Sequence, residues 1–251
     1  MKLVWDWIQR GYLKVIAPVG DYLVRKNVNP NAITTFGTLC TLATGVIFAT
    51  GHIRTAGWFL GITALFDVLD GTVARRTNRS TTFGAFYDST LDRVADGALF
   101  GGLTVFFARN DVHHSLPSWT GTPMVGVLLL GIIGTFLTSY TRARADALGV
   151  DLKDVGILQR PERITLLAAP QAFFGLTLNG WVLIAICVLL SLTAWVTAVQ
   201  RIVHVYRETN AERPLRERRA ARVERAVRPT PEHVLRGDLP EPASYVSRPP
   251  N

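Results

Sequence analysis

Two apolar stretches of this chain carry aspartates at spacings that place them on helix faces. The first ends Asp67-Val-Leu-Asp70-Gly71-Thr-Val-Ala74-Arg75, and the second begins Gly84-Ala-Phe-Tyr-Asp88-Ser-Thr-Leu-Asp92. Steps of three and four residues share one side of an α-helix. Positions 67, 70, 71 and 74 therefore form one stripe, and 84, 88 and 92 a second; a linker of about eight residues makes the two helices antiparallel neighbours, so that the stripes can face each other. Charged groups in apolar helices are costly and usually mark function. Carboxylates converging in a low dielectric repel and cannot all stay ionised unaided, and one or two divalent cations would resolve that. Oxygen-only ligands favour a hard ion, Mg²⁺ or Mn²⁺, over zinc. A pair of such ions would clamp a phosphate and stabilise the attacking and leaving oxygens of a displacement. Gly71 and Gly84, with Ala74, leave room for a substrate against the backbone. Pairing of the acids with Arg75, Arg76 and Arg93 would account for the charge but not for two glycine-punctuated stripes. Asp96 continues the second stripe by one turn, either as a structural hydrogen-bond partner or in an outer shell of the site.

The elements that must carry these residues are legible in composition. Of 251 residues, 48% are hydrophobic and 18% charged, with 27 Lys plus Arg against 19 Asp plus Glu for a net charge of +8. Soluble domains average about 25% charge. A nucleic-acid-binding domain shares the basicity but not a mean hydropathy of +0.22. Disorder, a disulfide scaffold and a collagen-like chain are excluded. A membrane helix needs about 20 mainly apolar residues, and six stretches qualify: 31–51, 56–74, 85–108, 122–141, 162–178 and 180–204. The second and third are weakened by their acids, and the fifth is short and contains Pro170, which can kink a span without breaking it. Arg and Lys concentrate in the N-terminal segment, in the loop after the second stretch and in the loop after the fourth. The alternate loops hold almost none, so the positive-inside rule places both termini in the cytoplasm.

The sequence thus predicts an all-α integral membrane protein with six transmembrane helices and an N-terminal interfacial amphipathic helix. Its segments are expected to be the amphipathic helix (1–26), the membrane domain (27–206) and a basic, flexible cytoplasmic tail (207–251). Val4, Trp5, Ile8 and Tyr12 recur at helical spacing, which suits a helix lying on the leaflet or an ordinary amphipathic one. Charges interrupt that segment, so it is no cleavable signal. About half of the net charge lies from residue 201 onward, in a tail attracted to anionic lipid or merely solvated. Cys40 and Cys187 read as small apolar fillers with no disulfide or zinc pattern, and His113 and His114 as loop surface.

The run Asp67-x2-Asp70-Gly71-x2-Ala74-Arg75-x8-Gly84-x3-Asp88-x3-Asp92 resembles the signature of the CDP-alcohol phosphotransferases, with no departure at any motif position. The likeness extends over about residues 15–205. It implies a six-helix enzyme of the cytoplasmic membrane, commonly a homodimer, with its active site facing the cytoplasm. Such an enzyme transfers a phosphatidyl group from CDP-diacylglycerol to an alcohol and releases CMP, with no nucleic-acid partner. Carried onto this chain, it makes Asp67, Asp70 and Asp88 metal ligands. Asp92 completes a two-metal site for Mg²⁺ or Mn²⁺ and is also the base for the acceptor hydroxyl, a reasonable role if its pKa lies below the working pH. Gly71, Arg75 and Thr81 contact the CDP-lipid, beside the small residues Ala74 and Gly84. The segment Asn29-Pro30-Asn31-Ala32 resembles a short pre-helix segment that contacts the nucleotide. Asn29 stands there where Thr or Ser is usual, and an ordinary helix-start turn is the alternative.

A second clue bears on the acceptor. Ser139-Tyr140-Thr141-Arg142-Ala143-Arg144-Ala145-Asp146 is followed by Gln159-Arg160-Pro161-Glu162-Arg163. Arg142, Arg144, Arg160 and Arg163 are either positive-inside anchors or a pocket offering bidentate phosphate recognition. As a pocket they favour a phosphorylated polyol over free serine, choline or inositol. The two runs resemble the phosphatidylinositol phosphate synthase branch, which uses inositol 1-phosphate. That branch has Lys at the position of Arg142 and Glu at that of Gln159, which keeps glycerol 3-phosphate, the acceptor of phosphatidylglycerophosphate synthases, as the alternative. An aspartate-rich prenyltransferase should show more spans and a second acidic motif. A transporter would explain buried acids without catalysis. A Gly57-x3-Gly61 motif hints at helix pairing in a dimer.

Overall fold

The structure, a computed structural model, describes residues 17–109 and 116–227. Among these residues it is wholly helical: α1 (17–25), α2 (Pro30–Ala49), α3 (Ile53–Arg76), α4 (Thr82–Ala108), α5 (Gly121–Ala147), α6 (Arg160–Phe174) and α7 (Trp181–Val227), with short 3-10 turns at Ser118–Thr120 and Leu178–Gly180. The first five expected spans coincide with α2 to α6 within a few residues. The sixth starts where α7 starts, but α7 runs on to Val227. Residues 207–227, expected as flexible tail, are therefore helical, in keeping with a composition of Glu, Arg and Ala, which favour helix. By its contacts the chain divides into a unit through Ile202 and a second from Val203 onward. The amphipathic helix expected over 1–26 is described only for 17–25, and Val4, Trp5, Ile8, Tyr12, His113 and His114 lie outside the described residues.

Helix starts follow from local sequence. Asn29 caps α2, its side-chain oxygen accepting from the Asn31 N–H at 3.0 Å, with Pro30 in the first turn. Thr81 caps α4 by accepting from the Gly84 N–H at 2.9 Å. A capping box of Gln159 and Glu162, with Pro161, starts α6. Side-chain caps satisfy backbone donors that have no partner inside the helix. Asn29→Ala should lower stability by about 1 kcal/mol, read as a downward shift in thermal melting that Asn29→Ser restores. An unshifted melt for the Ala variant would deny the cap its role.

Four segments are long and apolar enough to cross a membrane: Pro30–Ala49, Ile53–Arg76, Gly121–Ala147 and Leu178–Ala211. The remaining two expected spans fall short for physical reasons. α4 has the length, but Asp88, Asp92, Arg93 and Asp96 fill its first half, and α6 has only 15 residues. Large apolar side chains such as Val46, Trp58, Ile62, Phe86 and Leu192 point outward. Inward-facing Thr41 and Thr44 return their hydroxyl protons to carbonyls of their own helix, as buried polar groups must.

The packing is set by glycines at close crossings. α2 packs on both α3 and α4, α6 on α3, and α5 on α4. A Cβ at Gly45 would lie 2.5 Å from the Ala98 carbonyl oxygen of α4, and one at Gly102 would overlap the Gly45 carbonyl. Gly57 is used in the same way: a Cβ there would lie 2.7 Å from the Gln171 carbonyl carbon of α6, whereas Gly61 meets nothing within 4 Å. The Gly57-x3-Gly61 motif therefore joins α3 to α6 within one chain and carries no argument for a dimer. Phe48, Leu60, Leu103, Phe106, Phe107, Leu128 and Leu183 fill the core. Cys187 is buried and Cys40 half-buried, and both are free thiols.

One expectation needs correcting. α3 and α4, joined by the short turn 77–81, were expected to be antiparallel neighbours with facing acidic stripes; the stripes do face each other, joined through Arg160, but the two helices are not packed together. α2 instead packs against both, and α3 and α4 make almost no direct contact. The spacing of the acids shows which residues share a face but not which helix that face meets.

Candidate functional site

The acidic stripes line opposite sides of a gap, and each acid is held differently. Asp70 is buried on α3; its Oδ2 accepts from the Thr34 hydroxyl of α2 at 2.7 Å and its Oδ1 from the Gly71 N–H. Asp67, one turn earlier, is paired with Arg160 at the start of α6. The same Arg160 Nη1 lies 2.8 Å from Asp92 Oδ1, so one guanidinium ties the α3 stripe to the α4 stripe. Asp92 Oδ2 is also 3.5 Å from Arg93 Nη2. Asp88 is close enough for its charge to act on Asp67, Asp70 and Asp92.

No three ligating side chains close on a common metal position among the described residues. The Arg160 guanidinium supplies positive charge between Asp67 and Asp92. The donor set itself fits a hard divalent cation. It is all carboxylate oxygen, it spans two helices, and two hydrogen bonds hold Asp70 in place.

Asp96 lies one turn beyond Asp92 and is buried. It stands 3.5 Å from Arg160 Nε, 3.7 Å from Arg163 Nη2 and 3.9 Å from Arg93 Nη2. Asp96 Oδ2 and the Nε atoms of Arg93, Arg160 and Arg163 are buried without a hydrogen bond. Buried polar atoms normally find partners, so this cluster is short of a polar guest. Gln171, near the C-terminal end of α6, is another buried polar side chain without a hydrogen bond among the described residues.

The cluster opens into a cavity of about 980 Å³. Asp88, Asp92, Asp146 and Asp154 are its acids, and Arg93, Arg142, Lys153, Arg160, Arg163 and Arg201 supply its cations. Arg144, expected with them, is exposed and outside the lining. Arg201 is anchored to the Val155 carbonyl at 3.1 Å and to the Thr138 carbonyl. Arg93 is hydrogen-bonded to Ser139. Lys153 lies in the loop between α5 and α6, where its backbone N–H holds the Asp151 carboxyl below its ordinary range. Arg201 and Arg93 were not expected as lining residues. Their only sequence signal is an Arg within a helix, indistinguishable from an end anchor.

The residues expected to meet a CDP-lipid gather where α2 and α4 begin and α3 ends. Asn31 Oδ1 stands 3.5 Å from where a Cβ on Gly84 would sit, and the Arg75 guanidinium folds back over Gly71, at 3.3 Å from its Cβ position. Ala32, Arg75 and Thr81 are exposed, Ala74 is half-buried and Pro30 is buried. Asn29 and Thr81 both serve as caps here.

The family model for CDP-alcohol phosphatidyltransferase matches residues 27–205. Phosphatidylinositol phosphate synthase of Mycobacteroides abscessus is 35% identical over 192 residues, 76% of this chain and 83% of that protein. Archaetidylinositol phosphate synthase of Methanothermobacter thermautotrophicus is 34% identical over 193 residues, 77% and 89% of the two chains. The crystal structure of Mycobacterium tuberculosis phosphatidylinositol phosphate synthase with CDP-DAG bound superposes with a TM-score of 0.66 at 30% identity, covering 77% of this chain and 94% of that one. Its complex with manganese and citrate gives 0.65 at 32% identity, covering 75% and 88%.

Proposed function

The chain belongs to the CDP-alcohol phosphatidyltransferase family, and from that footing we propose that it transfers the phosphatidyl group of CDP-diacylglycerol to inositol 1-phosphate. The products are phosphatidylinositol phosphate and CMP. The observation that carries the acceptor is the 980 Å³ cavity, in which Asp92 stands among six cations that outnumber the four acids. Such a pocket suits a ligand with one anionic end and one hydroxyl to be deprotonated. Arg142, Arg160 and Arg163 hold the acceptor phosphate, joined by Lys153 and Arg201, because guanidinium forks match phosphate oxygens in pairs.

The acceptor hydroxyl is directed at Asp92, whose carboxylate takes its proton as the oxygen–phosphorus bond forms. The phosphorus–oxygen bond to CMP breaks in the same displacement, and CMP leaves with that electron pair. Asp67, Asp70, Asp88 and Asp92 would hold the divalent ions, two of Mg²⁺ or Mn²⁺. When bound, those ions supply charge stabilisation for the phosphate and activation of the attacking oxygen. Thr34 fixes the Asp70 rotamer, and the glycines at 71 and 84 let the CDP-lipid approach the backbone, beside Asn31, Ala74 and Arg75. The manganese bound by the mycobacterial relative and its bound CDP-DAG support both assignments.

The six-span arrangement, with both termini and the site on the cytoplasmic side of the plasma membrane, is part of the same reading. It is supported by the loop charges. A homodimer is carried over with the family alone.

Purified protein given CDP-diacylglycerol should release CMP with inositol 1-phosphate at least about tenfold faster than with glycerol 3-phosphate, a discrimination of about 1.4 kcal/mol. The reverse preference would reassign the acceptor to glycerol 3-phosphate. Arg142, where the inositol phosphate branch has Lys, faces the cavity and keeps that second reading in view. The other departure is less weighty, because Gln159 performs in the α6 capping box the work that Glu could also do.

A further inference from the structure

Arg160 belongs to two sites at once. Its Nη1 joins Asp67 to Asp92, two of the four carboxylates assigned to the divalent ions. The same side chain lines the cavity assigned to the acceptor phosphate. A guanidinium cannot satisfy both ligands in one position. While it lies between the carboxylates it occupies charge that a metal would need. Drawn towards a phosphate in the cavity, it leaves Asp67 and Asp92 free.

The backbone permits such a side-chain exchange without moving the helix. Arg160 is the first residue of α6, fixed by the capping box and by Pro161, so the pivot is rigid and only the side chain need swing. Its remaining contact is loose: Nε stands 3.5 Å from Asp96 Oδ1 and is buried without a hydrogen bond. Neighbouring Arg163 is different. It reaches Thr135 and Asp96 but neither Asp67 nor Asp92.

We propose that Arg160 thermodynamically couples the two sites: it stands in for the divalent cation when the chain is unloaded and passes to the acceptor phosphate when loaded, so that metal and acceptor tighten each other's binding. The inference rests on the assignment of Asp67 and Asp92 to the metal and of the basic cavity to the acceptor. Coupling between sites is reciprocal, so a metal that displaces Arg160 also prepares the phosphate site. The chain would then bind acceptor poorly until the metal site is filled.

The test measures Mn²⁺ binding to the full chain in lipid nanodiscs, without CDP-lipid, by the electron paramagnetic resonance signal of free Mn²⁺. The probe is inositol 1-phosphate, with its own Mn²⁺ binding measured separately and subtracted. For the unaltered protein, saturating inositol 1-phosphate should tighten Mn²⁺ binding about tenfold, within the usual range of coupling between sites. Arg160→Gln should bind Mn²⁺ at least as tightly as the unaltered protein without acceptor, and the acceptor should then change it less than about twofold. Arg163→Gln should need more acceptor but keep the full coupling at saturation. Arg160→Lys, a charge of different geometry, guards against a misfolded Gln variant and should keep part of the coupling.

Unaltered coupling in Arg160→Gln, or weaker Mn²⁺ binding in that variant without acceptor, overturns the proposal, as does an uncoupled unaltered protein. Failure of the underlying site assignment looks different: Asp70→Asn would bind Mn²⁺ as the unaltered protein does, or the unaltered protein would bind none.

Discussion

Asp92→Asn is expected to leave a folded protein whose CMP release falls by at least about a thousandfold, since loss of a general base alone costs 10²–10⁴ in rate. The substitution is nearly isosteric and removes one negative charge from a crowded group of acids. Asp92 makes its ion pairs with Arg160 and Arg93, and Arg160 retains Asp67 and Asp96 when Asp92 is neutralised. The helix start at Thr81 and the core beneath are untouched. Turnover loses two things together, because an amide cannot accept the acceptor hydroxyl's proton and is a poorer metal ligand than a carboxylate. The measurement pairs a CMP-release assay with size-exclusion and thermal melting of the same sample. Activity within tenfold of the unaltered protein, with the melt unchanged, would remove Asp92 from the reaction.

Gly102→Val should give the largest structural loss. Here α4 crosses α2 backbone to backbone, and a Cβ at 102 would overlap the Gly45 carbonyl. The obstruction is main chain within a helix, which cannot rotate aside as a side chain can. Separating the helices would also lift Asp88 and Asp92 away from the α2 and α3 residues that face them. Overpacking a close-fitted core costs about 1–3 kcal/mol and occasionally more, and a backbone clash belongs at or above the top of that range. Little monodisperse protein should be recovered. Gly101→Ala is the matched control: it is one residue away with nothing within 4 Å, and it should melt at or above the unaltered temperature because Ala favours helix over Gly. If Gly102→Val melted with the unaltered protein, the close crossing would not be what positions α4.

Hydropathy placed α2 to α6 within a few residues because sustained apolar runs, even those of α4 and α6 that fall short of a full span, have few other destinies than a packed helix. It also exposed the acids, since carboxylates in such runs are conspicuous. Partners were beyond it. Thr34 and Asp70 are 36 residues apart, and Arg160 and Asp67 are 93 apart. Helical periodicity defines a face while leaving open what covers it, which is why α3 and α4 were expected in contact though α2 packs on both. The arginines were ambiguous for a related reason. Near a membrane surface an anchor, a counterion and a phosphate ligand look alike in sequence. Only placement separates Arg144, exposed outside the cavity, from Arg201, which lines it. Gly57 misled because a small-residue motif marks a close approach without naming the approaching helix. The N-terminal amphipathic helix was expected from periodicity alone, and the residues that carry it, Val4, Trp5, Ile8 and Tyr12, lie outside the described residues.

The brevity of α6 has a consequence for the lipid. Fifteen residues at 1.5 Å each span about 22 Å, against a hydrocarbon layer of about 30 Å. Locked to α3 at Gly57, this helix cannot lengthen, and tilting would only shorten its reach. In the proposed six-span arrangement the bilayer would meet it by thinning around α6, at a cost of fractions of a kcal/mol per Å of mismatch. Headgroups would then be drawn inward beside Arg160 and Arg163. A lipid-linked phosphate and a water-soluble one would thus meet at a depth that an undeformed leaflet reserves for acyl chains.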